Sequence, residues 1–332
     1  MANEIRVVQY GLGPIGSAIA RLIHSRDALK LVGGVDIAPE KVGTDLGDAI
    51  GLGEKLGVPV AKTLAEALSA APADVVVHTT SSYFDLFSDQ IREILEVGLD
   101  VVSTAEELSF PWLAHQDEAE RIDRIAKRMG KTVLGTGVNP GFLMDALPLS
   151  LTAICQQVTR IEVTRRMNAT NRRGPFQKKI GAGMTVDEFN ARMAQGRMGH
   201  VGLRESVGMI FDTLGWELTR FETAVEPLVA DRAIQTPYVR VDPGAVRGLK
   251  QTAHGYCGDD ARVVLTFIAG LDEPEEADTI RITGVPDLEI VLHGTNGDLA
   301  TAAIVANAIP RVIAAPPGLV TMRDLPIVTV GR

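Results

Sequence analysis

Two neighbouring glutamates follow a short apolar run in the first third of the chain. Glu106 and Glu107 come directly after Val101–Ser103, which has the composition of a buried strand, and Phe110 and Trp112 lie close behind them. A carboxylate that aromatic side chains shield from water can hold an ammonium ion and exchange a proton with it. At about 4 Å and an effective dielectric constant of roughly 20, that attraction is worth about 4 kcal/mol. The pair is therefore a candidate acid–base centre.

Two adjacent acids are also typical of a solvated turn, and the pattern by itself leaves this alternative open. Adjacent side chains on an extended chain point in opposite directions. At most one of the two glutamates is therefore expected to face a reacting substrate.

A glycine-rich segment lies between a β-rich run and a helical run near the N-terminus. Residues 5–10 are rich in strand-forming side chains, and residues 14–24 carry apolar side chains at helical spacing. In the pattern G-x-G-x-x-G the first glycine allows a tight turn, the second lets the backbone approach a pyrophosphate, and the third packs helix on strand. The alternative is a glycine turn without a ligand. The placement favours a dinucleotide site made by Gly11, Leu12, Gly13, Pro14, Ile15 and Gly16.

Asp36 lies 20 residues beyond Gly16, at the end of the second predicted strand. A carboxylate there would accept hydrogen bonds from the adenosine ribose and repel a 2′-phosphate. Lys41 is close enough in sequence to weaken that preference. The expected cofactor is NAD or NADP, with NAD favoured by Asp36.

Further cofactor contacts are expected where two later strands end. Thr79, Thr80 and Ser81 follow the fourth predicted strand and could reach the ribose and nicotinamide, or they could simply cap the next helix. Asn139 opens an Asn-Pro-Gly turn, where its amide could bind the nicotinamide carboxamide or the substrate. Asn-Pro is also a common way to start a turn.

The elements that must position these residues alternate between strand and helix up to Gly135. This alternation predicts an N-terminal Rossmann domain, residues 1–140, with a parallel sheet covered by helices. Strand-like runs then dominate, which predicts a second α+β domain with a mainly antiparallel sheet, residues 141–296. The runs lie at 160–166, 238–241, 263–269, 279–283 and 288–293. Residues 297–332 are again helical in pattern and are expected to return to the first domain.

The second domain offers candidates for a substrate pocket, each of which could equally be structural. They are Phe142, Leu143, Leu147, Arg166, Asn168, His200 and His254. Four arginines, Arg165, Arg166, Arg172 and Arg173, could bind a carboxylate or form a solvated face.

Composition excludes several classes of protein. A formal net charge of -9 works against binding to nucleic acid or to an anionic membrane surface. Cys155 and Cys257 have no metal-ligand spacing, so no metal site is expected, and reduced thiols suit a cytoplasmic protein. The N-terminus enters a strand at once, without the apolar segment of a signal peptide. The apolar stretch 301–320 contains Pro310 and Arg311 and is expected to be a buried helix.

Three segments together resemble the 2,4-diaminopentanoate dehydrogenase group, which includes the native amine dehydrogenases and is distantly similar to dihydrodipicolinate reductases. They are Gly11–Gly16, Val102–Glu107 and Gly135–Gly141. The resemblance implies reversible, nicotinamide-dependent reductive amination of a ketone or aldehyde with ammonia, and a homodimer built on the sheet of the second domain. By its motif it implies Glu106 as the catalytic acid, with Glu107 as the second choice.

Several functions remain open at this point. Simple ketones or aldehydes are the preferred substrates, and the alternatives are an amino acid, as in 2,4-diaminopentanoate dehydrogenase, or a dihydrodipicolinate reductase-like reaction. The paired-histidine and lysine signature of those reductases is not found in the sequence. A hydroxyl-directed dehydrogenase would normally place lysine, histidine or tyrosine where the glutamates stand, and a redox sensor would have no need of an acid there.

Overall fold

Two units divide the chain. In the computed structural model, which describes residues 4–196 and 198–331, the first unit comprises the described residues up to Phe142 together with those from Asn296 onward. The second unit is Leu143–Thr295. The chain therefore leaves the first unit once and returns to it once.

The first unit is built on a seven-stranded parallel sheet. From one edge to the other its order is β15, β6, β5, β4, β1, β2, β3, so that the direction of strand addition reverses between β1 and β4. Such a reversal marks the ligand-binding crevice of a Rossmann sheet. The strands are β1 (Ile5–Tyr10), β2 (Leu29–Val35), β3 (Val60–Ala61), β4 (Val75–His78), β5 (Asp100–Ser103), β6 (Thr132–Gly135) and β15 (Gly318–Val320).

The helices of the first unit bury one apolar stripe each. In the fifth helix the stripe includes Ile122 and Ala126, and the helix ends at Gly130, whose φ of 64° is left-handed. The helices are α1 (Pro14–His24), α2 (Leu46–Ala49), α3 (Leu64–Ala70), α4 (Phe84–Glu96), α5 (Gln116–Met129) and α10 (Gly297–Ile313), with 3₁₀ turns at Glu106–Leu108 and Pro111–Leu113.

The C-terminal part of the chain contributes to the first unit. Helix α10 packs against α1, and β15 pairs with β6 in parallel. None of the helices in the described part of the chain has the length and apolar character needed to span a membrane.

The second unit contains a six-stranded mixed sheet, ordered β14, β13, β7, β12, β11, β8. Among the residues of this sheet that the structure describes, only those of β7 and β12 pair in parallel, so the mainly antiparallel α+β prediction is confirmed. The strands are β7 (Gln157–Asn168), β8 (Arg220–Val229), β9 (Ile234–Gln235), β10 (Arg240–Val241), β11 (Val246–Cys257), β12 (Asp260–Gly270), β13 (Ala277–Val285) and β14 (Leu288–Leu292), and the helices are α6 (Ala146–Leu151), α7 (Gly174–Lys179), α8 (Val186–Ala194) and α9 (Leu203–Thr213).

The two faces of this sheet differ in burial. Along β7, Val163, Arg165 and Met167 are buried, whereas the alternating Thr164 and Arg166 are half-exposed. We call these the buried face and the half-exposed face. Helix α9 packs against β11 and β12.

Candidate active site

The loop Gly11–Gly16 joins β1 to α1, and the fold itself requires two of its three motif glycines. Gly11 has a φ of +91°, and a Cβ there would lie 2.6 Å from the carbonyl oxygen of Thr79. A Cβ on Gly16 would lie 2.0 Å from the carbonyl oxygen of Gly11. Gly13 is extended, and its Cβ would project into open space. Packing does not require glycine at that position, whereas the close approach of a pyrophosphate does, so the loop fits a dinucleotide.

Thr79 and Gln9 hold the glycine turn from within the first unit. The Thr79 hydroxyl donates to the carbonyl oxygen of Gly11 at 2.7 Å. The fully buried Gln9 donates its amide N–H groups to that hydroxyl at 3.0 Å and to the same carbonyl at 3.1 Å. Thr79 therefore stabilises the turn. Sequence reasoning missed Gln9, although a single amide within a buried strand was a visible signal.

Asp36 is bonded to the same loop. Its carboxylate accepts the N–H groups of Leu12 at 2.8 Å and Ala38 at 2.9 Å, and the ammonium of Lys41 lies 3.3 Å away. Burial alone would raise the pKa of Asp36, but the two amides and the Lys41 ammonium outweigh burial and hold that pKa below its usual range. The position at the end of β2 thus presents a paired carboxylate and ammonium.

The hydroxyls that follow β4 also bond inside the unit. Thr80 donates to the side-chain oxygen of Gln90 on α4 at 2.6 Å. The Ser81 hydroxyl accepts the N–H of Tyr83, just before α4 begins, at 3.2 Å. These contacts tie the loop after β4 to α4, and both alternatives for Thr80 and Ser81, cofactor contact and helix cap, stay predictions.

The two glutamates lie in the 3₁₀ turn after β5, so the segment is not the extended chain assumed from sequence. A carboxylate oxygen of Glu107 accepts the N–H of Phe84, the first residue of α4, at 2.5 Å, and lies 3.4 Å from Nε2 of His115. The carbonyl oxygen of Glu106 accepts the hydroxyl of Ser109 at 2.8 Å, and Glu106 is partly exposed. Glu107 is therefore engaged at the start of a helix.

The aromatic residues behind the turn pack against one another. The rings of Phe110 and Trp112 are 5.2 Å apart, and Phe110 is buried whereas Trp112 is partly buried. They form an apolar wall next to the 3₁₀ turn.

Asn139 follows β6 in the loop that ends the first unit. It is nearly buried, it precedes a cis peptide bond to Pro140, and the φ of Gly141 is +113°. A Cβ on Gly141 would lie 2.6 Å from the backbone nitrogen of Gly137, so this turn needs glycine. Phe142 is half-buried at the end of the unit.

On the buried face of the second unit, one row of side chains crosses four strands. Strand register aligns Gln251, Phe267, Arg165 and Asp278. The ring of His200 stacks on Phe267 with centroids 4.7 Å apart, and the His200 N–H donates to Gln251 at 2.6 Å.

Arg165 is the charged member of that row. It is 2% exposed, and its Nε lies 3.7 Å from a carboxylate oxygen of Asp278. Its Nη1 makes no hydrogen bond to any described residue. Burial lowers the pKa of Arg165 and raises that of Asp278, so this guanidinium is incompletely compensated.

The other polar candidates of this unit lie elsewhere. Arg166 bonds Glu273 at 2.6 Å, and Asn168 donates to the Glu273 carbonyl oxygen at 3.0 Å. Both stand with His254 on the half-exposed face, as the strand register shows. They do not share a face with His200.

The apolar candidates also have definite places. Leu143 is buried, and Leu147 is half-buried within α6. Among residues 4–196 and 198–331, no three His, Cys, Asp or Glu side chains cluster as metal ligands would.

Comparison with known proteins places the chain among its relatives. A family model for the C-terminal domain of 2,4-diaminopentanoate dehydrogenase matches residues 142–330, more than half of the chain. The chain belongs to the 2,4-diaminopentanoate dehydrogenase family. A second model, for the N-terminus of dihydrodipicolinate reductase, matches residues 5–105.

Relatives within the 2,4-diaminopentanoate dehydrogenase family span nearly the whole chain. A 2,4-diaminopentanoate dehydrogenase from Acetoanaerobium sticklandii is 35% identical over 98% of this chain and 94% of its own length. The solved structure of an amine dehydrogenase from Mycobacterium smegmatis has a TM-score of 0.85 at 27% identity, covering 99% of this chain and 98% of that one. The predicted resemblance is confirmed, and the chain is an oxidoreductase of a family of amine-group dehydrogenases.

Proposed function

We propose that this family member catalyses the NAD(P)H-dependent reductive amination of a ketone or aldehyde with ammonia, and the reverse deamination. The observation that carries the proposal is the position of the two glutamates, in the turn after β5 at the sheet edge that carries the glycine loop. Both are partly exposed, and the Glu107 carboxylate is bound to the first amide of α4. The motif shared with the family favours Glu106, which is the acid–base residue of the proposal.

In the amination direction, the Glu106 carboxylate binds ammonium and takes one proton from it. The ammonia then adds to the substrate carbonyl, and Glu106 returns the proton to the hydroxyl of the carbinolamine, which leaves as water. When bound, the cofactor supplies the hydride that reduces the resulting iminium carbon. Ammonium, carbonyl compound and reduced cofactor thus give amine, oxidised cofactor and water.

The test is the dependence of cofactor oxidation on ammonium. With cyclohexanone or a short aldehyde, the purified protein should oxidise NADH or NADPH only when ammonium is added, and amine should accumulate in equal amount. Turnover without ammonium would indicate a hydroxyl-directed dehydrogenase. Cofactor binding without turnover on any carbonyl compound would indicate a redox sensor, and either result contradicts the proposal.

A second candidate is an amino-acid substrate whose carboxylate binds Arg165. The buried guanidinium with an unbonded Nη1 favours an anionic group on that face, and the relative from A. sticklandii is named for such a substrate. Loss of a hydrogen bond to a charged group costs about 1.5–3 kcal/mol, roughly 10- to 150-fold in rate. Arg165→Met should therefore lower kcat/KM for 2-amino-4-oxopentanoate by that factor while sparing cyclohexanone.

Arg166→Met on the opposite face is the matched control for this comparison. Its activity on both substrates should fall equally, through stability alone. Faster turnover of cyclohexanone than of the amino acid by the unaltered protein would exclude the second candidate.

For the cofactor, the proposal is NAD in preference to NADP. For the substrate, the proposed contacts include His200 and the apolar Leu143 and Leu147. The Asp36 carboxylate supports NAD, and the Lys41 ammonium beside it moderates that preference. Thr80, Ser81 and Asn139 remain proposed contacts of the cofactor site.

We further propose that the protein is a homodimer built on the sheet of the second unit. The half-exposed face of that sheet supports this assignment, since Arg166 and His254 leave it only partly covered. The molar mass in solution, measured by light scattering over a range of concentrations, tests it. A monomer throughout the range would exclude the dimer.

A further inference from the structure

One polar residue stands at the end of the valine-rich strand β4. His78 is fully buried, and both of its ring nitrogens have partners. Nδ1 lies 2.9 Å from the hydroxyl of Ser103 at the end of β5. Nε2 lies 2.7 Å from the side-chain oxygen of Gln90 and 2.9 Å from the hydroxyl of Thr80.

The partners fix the direction of these bonds. Gln90 offers a carbonyl oxygen, so Nε2 of His78 carries the proton and donates. In the neutral ring Nδ1 then accepts, and the Ser103 hydroxyl donates to it. Burial lowers the pKa of His78 to about 4, so the ring is neutral at physiological pH.

The chain of bonds reaches the proposed acid–base residue on one side. The Ser103 oxygen accepts the N–H of Ala105 at 3.1 Å, and Ala105 directly precedes Glu106. A shift of Ser103 would therefore move the backbone from which the Glu106 side chain projects.

On the other side the chain of bonds reaches the nucleotide edge of the sheet. Gln90 lies on α4, and Thr80 lies in the loop after β4, next to Thr79, which holds the glycine turn. One buried ring thus connects the loop after β4 with the loop after β5.

We propose that His78 is a positioning residue for the reaction, one that sets the Glu106 turn relative to the nucleotide loops through its two ring nitrogens. This inference rests on the proposed function of Glu106. An apolar ring would fill the same space in β4, against Phe87 and Tyr10, without any of these bonds.

Two substitutions of His78 each remove the hydrogen bond of one ring nitrogen and keep that of the other. His78→Asn places an acceptor oxygen where Nδ1 stands and loses the donor, so it keeps the bond from Ser103 and breaks the bond to Gln90. His78→Gln places a donor nitrogen where Nε2 stands and loses the acceptor, so it keeps the bond to Gln90 and breaks that from Ser103. Ser103→Ala breaks the Ser103 side independently.

The expected result is a crossover between two measured parameters. His78→Gln and Ser103→Ala should each lower kcat/KM for ammonium about 10- to 100-fold through misplacement of Glu106, with the dissociation constants of NADH and NADPH unchanged. His78→Asn should weaken binding of NADH and NADPH and leave the KM for ammonium unchanged. Because the two losses on the Ser103 side share one bond, the double variant His78→Gln, Ser103→Ala should be no worse than either alone.

Two controls distinguish positioning from stability and from proton transfer. Thr132→Val removes a buried hydroxyl bond to the carbonyl oxygen of Pro316 in the same unit, and should lower the melting temperature without the crossover. A neutral His78 also predicts that the pH–rate profile keeps its shape from pH 6 to pH 10 in every His78 variant.

The outcomes separate this inference from the proposed function. If Glu106→Gln keeps ammonium-dependent turnover, the proposed function fails regardless of His78. If Glu106→Gln is inactive while both His78 variants lose the same parameters equally, or behave like Thr132→Val, His78 is only a core residue and the inference is overturned.

Discussion

Glu106 and Glu107 lie side by side in the turn after β5, and a contact with the start of α4 engages the carboxylate of Glu107. The amide of Phe84 has no partner within α4, and the Glu107 carboxylate supplies one. The sequence could place both acids at the end of β5 but not choose between them on physical grounds, because the choice depends on a 3₁₀ turn and on α4 beginning at residue 84.

The first prediction concerns Glu106→Gln. Glutamine keeps the size of the side chain but removes its charge and basicity, and general acid–base catalysis typically contributes about 10²–10⁴-fold. We expect kcat for amination to fall by that factor and the KM for ammonium to rise, with NADH affinity unchanged. Steady-state rates against ammonium concentration check this. Glu107→Gln is the control, and a larger loss there would move the catalytic role to Glu107.

The second prediction concerns Asp36→Ser. Removing the carboxylate takes away the negative charge that would repel a 2′-phosphate, and leaves the Lys41 ammonium its bond to the carbonyl oxygen of Leu12 but no carboxylate. The ratio of KM for NADP to KM for NAD should fall. Asp36→Asn is the matched control, since its amide oxygen can still accept the Leu12 N–H while the charge is gone. An unchanged ratio in both variants would mean that Asp36 does not face the ribose.

For some residues of the candidate site the sequence gives no local signal, and for others it gives only part of one. Arg165 and Arg166 are adjacent and chemically identical, and only the side on which β7 is covered decides which one is buried. Gln9 and His78 are each a single polar residue in an otherwise apolar part of a strand. Such a residue shows that a buried polar group needs partners, but it does not show which strands supply them.

At the scale of elements, two side chains from different loops accept backbone N–H groups at the start of α4. The Ser81 hydroxyl accepts the N–H of Tyr83, and the Glu107 carboxylate accepts the N–H of Phe84. Glu107 lies in the turn after β5, so a residue distant in sequence fixes the start of this helix. Helix α3 is capped locally, because the Thr63 hydroxyl accepts the Glu66 N–H at 3.3 Å. A local cap is readable from spacing, whereas a distant one is not.

The third prediction follows from this contrast. Glu107→Ala removes the acceptor and the charge at the start of α4, and should lower the free energy of unfolding by about 1–2 kcal/mol. Urea denaturation at neutral pH measures it. Thr63→Ala should lose a similar amount through α3 without changing the KM for ammonium. A Glu107→Ala protein as stable as the original would contradict the assigned capping role.

The elements of the first unit were predictable because parallel strands buried on both faces give short valine-rich runs. In the second unit β8 and β11 were not predicted. The inward positions of β11 include Gly255, Ala253 and Gln251 instead of large apolar residues. Gly255 is needed there because a Cβ would lie 2.5 Å from the ring of Phe211 on α9. Tertiary packing thus removed the alternation on which the prediction of strands depends.

At the scale of the whole molecule, His78 couples stability to pH. Burial holds the pKa of His78 in the folded protein at about 4, below the ordinary histidine value of 6.5, so between these values the unfolded chain binds more protons and stability falls as pH falls. The fourth prediction is that His78 contributes a loss of about 2 kcal/mol of unfolding free energy between pH 7.5 and pH 5. Urea titrations across this range measure it.

His78→Gln isolates this contribution, because glutamine does not titrate. Its unfolding free energy should vary less over the same range by about that amount. Carboxyls with lowered pKa values, such as Asp36 and Asp74, titrate below this window. Burial raises the pKa of Asp100 and of Asp278, but both proteins carry these carboxyls, so the comparison between the two cancels their contribution. Equal slopes for the two proteins would mean that the ring is protonated at little cost in the folded state.

The insertion of the second unit between Phe142 and Asn296 bears on how the protein is made. Strand β15 pairs with β6, so a ribosome must synthesise the whole of Leu143–Thr295 after β6 before the partner of that strand emerges. Domains fold as units during synthesis. The second unit is therefore complete, and free to fold, while the nascent first unit still has an unpaired sheet edge at β6. The sheet of the first unit is completed only when β15, near the C-terminus, has been synthesised.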